Sequence, residues 1–147
     1  MAFIENKKAR LEYEFIEELE AGAELFGHEV KAIKKGMGSL EGARVAVRGG
    51  EAFLIGASIS PYQVKNTPAS YDLERSRRLL LNKKELIQLA EYESQKGLTI
   101  VPIKWYNTNR KVKLSIAVAR RKKKYDKRAT LKERDTKRDI DRTLKNQ

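Results

Sequence analysis

The sequence predicts a mainly β fold: a small antiparallel β-barrel with peripheral helices, followed by a basic C-terminal tail. Three observations carry this expectation. Several runs alternate apolar and polar residues with the period of two that a half-buried strand requires. Glycine or asparagine stands between such runs, where tight hairpins need left-handed backbone. After Ala119 the large apolar residues thin to Tyr125, Leu131, Ile140 and Leu144, too few for a second core. The chain has 147 residues, the usual size of one domain, so it divides into a barrel over 1–119 and a tail over 120–147.

From Leu11 to Glu20, Leu11, Tyr13, Phe15 and Glu17 fall on one side of a strand and Glu12, Glu14, Ile16 and Glu18 on the other. Ala21-Gly22 then reads as a turn or bulge. Gly27 to Gly36 suits a short helix: Glu29 lies early, Lys34 and Lys35 late, and Gly36 supplies the stop, with Val30 and Ile33 facing the core. Residues 43–48 and 52–57 flank Gly49-Gly50 and predict a hairpin. Ser60 to Arg78, with Pro61 and Pro68, reads as a long exposed loop ending in a cluster of Arg75, Arg77 and Arg78.

Asn82 with Glu85 three residues later is a capping-box pattern, opening a helix through about Ser94 whose inward stripe is Leu86, Leu89 and Ala90. Val101, Ile103 and Trp105 share one side of a strand over Thr99 to Tyr106. Val112, Leu114, Ile116 and Val118 share one side of another over Lys111 to Ala119, with a hairpin loop over Asn107 to Arg110. An antiparallel barrel follows because closure removes exposed strand edges. In the tail, Thr130 and Glu133 form a second capping pattern, with Glu133–Lys137 and Asp141–Lys145 at favourable spacing. Such pairs contribute only about 0.2–0.5 kcal/mol each. The expected tail is therefore disordered when free and helical from about Leu131 when bound.

The formal net charge is +12, which favours a polyanionic partner. Its distribution is uneven: residues 120–147 hold 13 Lys/Arg and 5 Asp/Glu, a net +8, leaving +4 for the rest. A basic arm of this kind is typical of nucleic-acid-binding proteins, and a generic solubilising tail is the competing reading. Cysteine is absent and histidine occurs once, as His28, so neither thiolate chemistry nor a histidine-rich metal site is predicted. Glu17, Glu18, Glu20 and Glu24 could hold magnesium for a nuclease, but alternation sends Glu17 and Glu18 to opposite faces. No phosphate-loop or dinucleotide motif occurs. The expectation is a non-enzymatic binding protein with no metal and no cofactor. The opening MAFIENKKAR has no apolar signal region, and no apolar run spans a membrane, so a soluble cytoplasmic protein is expected.

Several segments have a wording that a generic barrel does not require: Asn6-Lys7-Lys8-Ala9-Arg10 before Glu12-Tyr13, Phe15-Ile16-Glu17-Glu18, Glu20-Ala21-Gly22, Gly27-x-Glu29-Val30-Lys31-Ala32-Ile33 with Gly36, and Ile59-x-Pro61-Tyr62. Arg78 through Leu86, Gly97 through Pro102, Lys111-Val112-Lys113, and Lys122-Lys123-x-Tyr125-Asp126-Lys127-Arg128 continue it over nearly the whole chain. Together these segments resemble the small protein B (SmpB) family. The resemblance implies an OB-type barrel that holds the tRNA-like domain of transfer-messenger RNA (tmRNA, SsrA RNA) and brings it to stalled ribosomes for trans-translation. The tail would occupy the mRNA channel and decoding centre, against small-subunit rRNA, in place of a codon–anticodon duplex. Elongation factor Tu and alanyl-tRNA synthetase would be partners indirectly, through the RNA.

Carried over by motif position, the resemblance implies RNA contacts at Glu20, Leu80, Asn82 and Lys111, with Lys7, Arg10, Lys31 and Lys34 as further phosphate contacts. A carboxylate accepts from a base edge or 2′-hydroxyl, an amide donates and accepts, and a lysine neutralises phosphate. Asn82 could equally be only a helix cap, and Leu80 only core. For the tail it implies ribosome contacts at Lys122, Lys123, Tyr125, Asp126, Lys127 and Arg128, with Tyr125 able to stack on a base. Three positions depart from the family's usual pattern: Tyr125 where histidine is common, Arg121 where glycine is usual, and Asn109 for a hairpin glycine. The alternatives are a ribosome-associated structural barrel protein and a metal-dependent nuclease.

Overall fold

The alternating runs become long antiparallel strands, and the structure, a computed structural model, describes residues 2–123. In chain order the elements are β1 (Ala2–Glu5), α1 (Lys7–Glu12), β2 (Tyr13–Ala23), α2 (Gly27–Lys34), β3 (Gly38–Ser39), β4 (Arg44–Arg48), β5 (Glu51–Ile55), β6 (Ser58–Ile59), β7 (Arg77–Leu80), α3 (Lys83–Ser94), β8 (Leu98–Thr108) and β9 (Lys111–Arg121). Seven strands form one sheet in the order β1-β8-β9-β2-β7-β5-β4, while β3 and β6 pair separately. The sheet curls so that β4 packs back against β8. The mainly antiparallel architecture with peripheral helices agrees with the expected class.

Inside the curl lie Leu54, Ile100, Trp105, Leu114, Ile116 and Val118, each at most 1% exposed, together with Ile33 from α2 and Leu89 from α3. Fully burying a side chain of this size contributes about 1.5–3 kcal/mol. The Gly49-Gly50 hairpin joins β4 to β5 with φ of 59° and 78°, the left-handed pair that a two-residue turn demands. Asn109 and Arg110 turn β8 into β9 with φ of 47° and 65°. The α3 capping box forms as expected: Asn82 Oδ1 accepts from Glu85 N at 2.8 Å and Glu85 Oε1 accepts from Asn82 N at 3.1 Å. Gly36, at φ 74°, follows α2 and stops it.

Several expectations are corrected. Leu11 and Glu12 end a helix over Lys7–Glu12 rather than starting the strand, which begins at Tyr13. Asn6 caps α1 through Ala9 N, and its buried amide also donates to the carbonyls of Leu40 and Pro102 at 3.1 and 2.9 Å. Ala21-Gly22 is no turn; β2 runs on through Ala23, and Gly22 lies opposite Leu80 of β7. A Cβ on Gly22 would sit 3.2 Å from that of Leu80, a tight contact that Leu80 would have to yield to by a few tenths of an ångström. Ala90 is exposed, and the half-buried Tyr92 packs on the core instead. Val30 is half-buried, while Glu29 is buried.

Trp105 is also separated from Val101 and Ile103. A bulge between Pro102 and Lys104 shifts the β8–β9 register, which reverses the side-chain parity. Ile100 and Trp105 therefore point into the barrel, whereas Val101 and Ile103 lie on the outer face with Ala117 and Ala119. A second bulge between Phe15 and Glu17 does the same to β2. Helix α1 covers this outer apolar patch with Ala9.

The 60–78 segment is exposed at Gln63, Val64 and Lys65, yet its end is fastened inside. Arg77 opens β7 with no side-chain exposure and donates to Glu29 Oε2 from Nε at 3.1 Å and from Nη2 at 2.7 Å. Arg75 pairs with the other carboxylate oxygen, and Tyr71 Oη donates to Glu29 at 2.8 Å. The arginine cluster is thus not one exposed basic patch. Only Arg78 lies mainly at the surface, paired with Glu24 at 2.8 Å and Glu51 at 3.3 Å.

Candidate nucleic-acid interface

Beyond the two bulges, the outer face of the sheet changes from apolar to polar. Glu20 stands on β2 opposite Ser115 of β9, and Tyr106 of β8 stands opposite Lys113 of β9. Because alternate residues share a face, Lys111, Lys113 and Ser115 project outward together, and Glu20 shares that face with Gly22 and its partner Leu80. Leu80 is 48% exposed, a large apolar side chain at the edge of this polar surface. Asn82 follows at the start of α3, its Oδ1 used by the cap. Capping leaves its second group, the Nδ2 donor, uncommitted to the helix.

Glu20, Leu80 and Lys111 therefore share one face of the sheet, and Asn82 stands two residues beyond Leu80 at the α3 cap. Within it, Lys113 Nζ approaches Glu20 Oε1 to 3.8 Å, with the carboxylate side chain half exposed. Burial and then a hydrogen bond to Glu20 push the Tyr106 hydroxyl well above the usual phenol range. It remains a proton donor, and it steadies the carboxylate. Lys104 Nζ lies 5.6 Å from the Tyr106 ring centroid, a weak cation–π contact. Sequence reading passed over Lys104, Tyr106 and Lys113. Alternation from Lys111 reaches Lys113, and alternation about the inward Trp105 reaches Lys104 and Tyr106, but alternation alone marks no outward residue as functional.

The other basic residues fall elsewhere. Lys7 and Arg10 are exposed on α1, Arg10 with its guanidinium 5.8 Å from the Phe15 ring. Lys31 and Lys34 are exposed on α2, Lys31 being 6.0 Å from the Tyr62 ring. At the end of β9, Lys122 N donates to Glu12 O at 2.8 Å and its Nζ reaches Arg10 O at 3.3 Å. Lys123 is exposed. Tyr125, Asp126, Lys127, Arg128 and the helix expected from Leu131 lie outside the described residues. Among the described residues no three His, Asp or Glu side chains are placed to hold a metal ion, and no helix is long and apolar enough to cross a membrane.

The family model for the SmpB protein matches residues 3–146. The chain belongs to the SmpB family. It is 47% identical over 142 residues to the SsrA-binding protein of Clostridium acetobutylicum, covering 97% of this chain and 91% of that protein. The SsrA-binding protein of Gloeothece citriformis is 45% identical over 141 residues, covering 96% and 91%. A solved chain described as "tmRNA-SmpB: a journey to the center of the bacterial ribosome" superposes with a TM-score of 0.69 at 41% identity, over 82% of this chain and 85% of the other. Membership of the SmpB family extends beyond the barrel, because the matched span includes almost all of the basic tail.

Proposed function

We propose that this chain binds the tRNA-like domain of tmRNA (SsrA RNA) and delivers it to stalled ribosomes for trans-translation. The observation that carries the reading is the near-complete match to SsrA-binding proteins, tail included. It is supported by the outward grouping of Glu20, Leu80 and Lys111 on one face of the sheet, with Asn82 two residues beyond Leu80.

Such a mixed surface suits folded RNA better than a uniformly basic one. Phosphate contacts give affinity without information, whereas a carboxylate and an amide read base edges and 2′-hydroxyls. Glu20, held by Tyr106 and Lys113, acts as acceptor; Asn82 donates through Nδ2; Leu80 offers an apolar surface to an unstacked base; Lys111 neutralises a phosphate. Lys7, Arg10, Lys31 and Lys34 add phosphate contacts at the periphery. The tail then enters the mRNA channel, where Lys122, Lys123, Tyr125, Asp126, Lys127 and Arg128 engage rRNA at the decoding centre in place of a codon–anticodon duplex. The barrel and the tail act as two functional units, in the cytoplasm, without catalysis by the protein itself. Elongation factor Tu and alanyl-tRNA synthetase join through the RNA.

The decisive experiment is recovery of RNA bound to the tagged full-length chain from cells: one tRNA-like species should dominate. A spread of unrelated RNAs would overturn the reading. Because β9 runs to Arg121 and Lys122 is tied to Glu12, the tail is best removed after Lys123. That truncation should keep tmRNA binding and abolish peptide tagging on stalled ribosomes. Lys111→Ala should make the salt dependence of tmRNA binding shallower by about one unit, as for one lost phosphate contact.

A further inference from the structure

The outer face that carries Glu20 continues past Gly22 onto β7, and there it borders a cleft of about 410 Å³ between β5, β7 and the first turn of α3. Strand β7 alternates buried Arg77 and Leu79 with exposed Arg78 and Leu80, so Arg78 and Leu80 point the same way. Leu80, Leu81 and Leu86 supply the apolar lining, and Arg78 and Glu51 the polar side chains. Glu51 is the first residue of β5 and follows directly on the Gly49-Gly50 turn. Arg78 is held from two sides: Nη1 donates to Glu24 Oε1 at 2.8 Å, and Nε lies 3.3 Å from Glu51 Oε1. All three side chains remain about half exposed.

This balance of charge decides what the cleft can take. One guanidinium between two carboxylates leaves a net negative charge, which repels a phosphate and keeps Arg78 from serving as a backbone anchor. A neutral ring with donors and acceptors along one edge fits instead, because it can pair with the carboxylate and the guanidinium at the same time. Neither group is saturated: the guanidinium offers more N–H donors, and the carboxylate more lone pairs, than the contacts between them use. The leucines shelter the ring faces, as in small-ligand clefts where a few placed polar groups fix orientation. Unpaired nucleobases are rings of this kind, and RNA is read chiefly where its bases are unpaired. Gly22, opposite Leu80, is two residues from Glu20, roughly 7 Å at the usual strand rise, so one folded RNA can reach both.

We propose that this cleft binds one unpaired guanine of the tRNA-like RNA, with Glu51 accepting from N1–H and the N2 amino group and Arg78 donating to O6. The inference rests on the function proposed above and adds to it the identity of a base and two residues that read it. Among the four bases, guanine alone sets two adjacent donors beside an acceptor on its Watson–Crick edge. Adenine and cytosine place a ring-nitrogen acceptor where the carboxylate needs a donor, and uracil has a single donor between two acceptors. Glu24 holds the Arg78 fork from the far side and is a positioning residue. Arg78 and Glu51 thus determine specificity, whereas Lys111 supplies charge.

The test measures binding of the full-length chain to the isolated tRNA-like domain, prepared unmodified and with its unpaired guanines replaced one at a time by inosine, which lacks only the N2 amino group. With the wild-type chain, one inosine position should weaken binding by about five- to tenfold, as for part of a bidentate base contact. Glu51→Gln should lose a similar factor on unmodified RNA. The two losses should not multiply, because they delete the same contact. Arg78→Lys keeps the charge but not the fork, and should weaken binding by about tenfold. Both variants should keep the wild-type salt slope, since no phosphate contact is lost. Exposed ion pairs contribute little to stability, so their thermal midpoints should stay near wild type; the inosine series on the wild-type chain decides even if a variant folds poorly. No inosine position that weakens wild-type binding overturns the proposal. So does full multiplication of the inosine and Glu51→Gln losses, or an Arg78→Lys chain that binds as wild type, the mark of a phosphate contact. If the wild-type chain prefers tRNA-like RNA to other RNA of equal length while these changes have no effect, the cleft is wrong and the function stands. If it shows no such preference, the underlying function fails first.

Discussion

Replacing Glu29 by Gln should be among the most damaging changes available in the barrel. The carboxylate is wholly buried and accepts from Arg77, Arg75, Tyr71 and the Phe26 backbone amide, the last at 2.8 Å. Burial alone would push its carboxyl up, but the hydrogen bonds from Arg75, Phe26, Arg77 and Tyr71 overcome that and lower it from the ordinary 4.5 to about 2. A displacement of this size corresponds to about 3 kcal/mol of stability. Glutamine keeps the shape but removes the charge, leaving the fully buried Arg77 guanidinium uncompensated, a situation that costs about 3–5 kcal/mol. The two routes agree, and either figure is a large share of the 5–15 kcal/mol typical of a domain. Urea unfolding followed by circular dichroism at pH 7 measures the effect directly. Glu29→Leu combined with Arg77→Met should cost clearly less than the two single changes added together, because no lone charge is left behind. The group's folded value is depressed, so its contribution is complete above about pH 4.5 and is lost as the pH falls toward about 2. That acid-sensitive component should vanish in Glu29→Gln. A loss below about 0.5 kcal/mol, the range of ordinary surface changes, or strict additivity in the double variant would refute the reasoning.

Three further outcomes follow from the barrel's packing. Asn6→Ala removes a helix cap and leaves the buried carbonyls of Leu40 and Pro102 without their donor; the urea midpoint should fall by the equivalent of about 1–3 kcal/mol. Gly22→Ala places a methyl group 3.2 Å from Leu80 Cβ, so filter binding of the tRNA-like domain should weaken while the thermal midpoint shifts only slightly. Burial, then the hydrogen bond to Glu29, raises the Tyr71 hydroxyl to about 12. Its contribution is therefore present below pH 10 and lost as the pH rises through about 12. Alkaline unfolding of Tyr71→Phe should lack that component.

What the sequence revealed and what it concealed divide by the range of the interactions. The Gly49-Gly50 hairpin, the Asn82–Glu85 cap, the Gly36 stop and the inward row of β9 all depend on residues a few positions apart, and each appears as expected. The two bulges depend on how neighbouring strands fit when the sheet curls. A one-residue shift there put Val101 and Ile103 on the outer face while Trp105 kept its inward place. Helix α1 escaped notice because KKARLE buries only Ala9, and its cap reaches partners 34 and 96 residues away. Glu29 read only as an acidic residue early in a helix, because its partner Arg77 lies 48 residues downstream. Glu20, Leu80, Asn82 and Lys111 came from the wording of whole motifs, since no periodicity marks an outward residue as functional.

The bulges also explain how one strand face can serve three purposes. Along β9 the alternation is unbroken, and its outer row runs Lys111, Lys113, Ser115, Ala117, Ala119 and Arg121, polar at both ends and apolar between. Here β2 and β8 each change parity once, so that β9 meets apolar neighbours near Ala117 and Ala119 and polar neighbours from Ser115 back to Lys111. The apolar stretch is covered by α1, too short to be stable alone and held in place by Asn6 and Ala9. Covering it sets Lys8 beside Arg44 and Arg121, while the uncovered stretch presents Glu20 and Lys111. The same short helix thus completes the barrel's packing at one end of β9 and leaves the other end free to present the surface proposed for tmRNA. A rigid 11-residue strand, β9, fixes the distance between them.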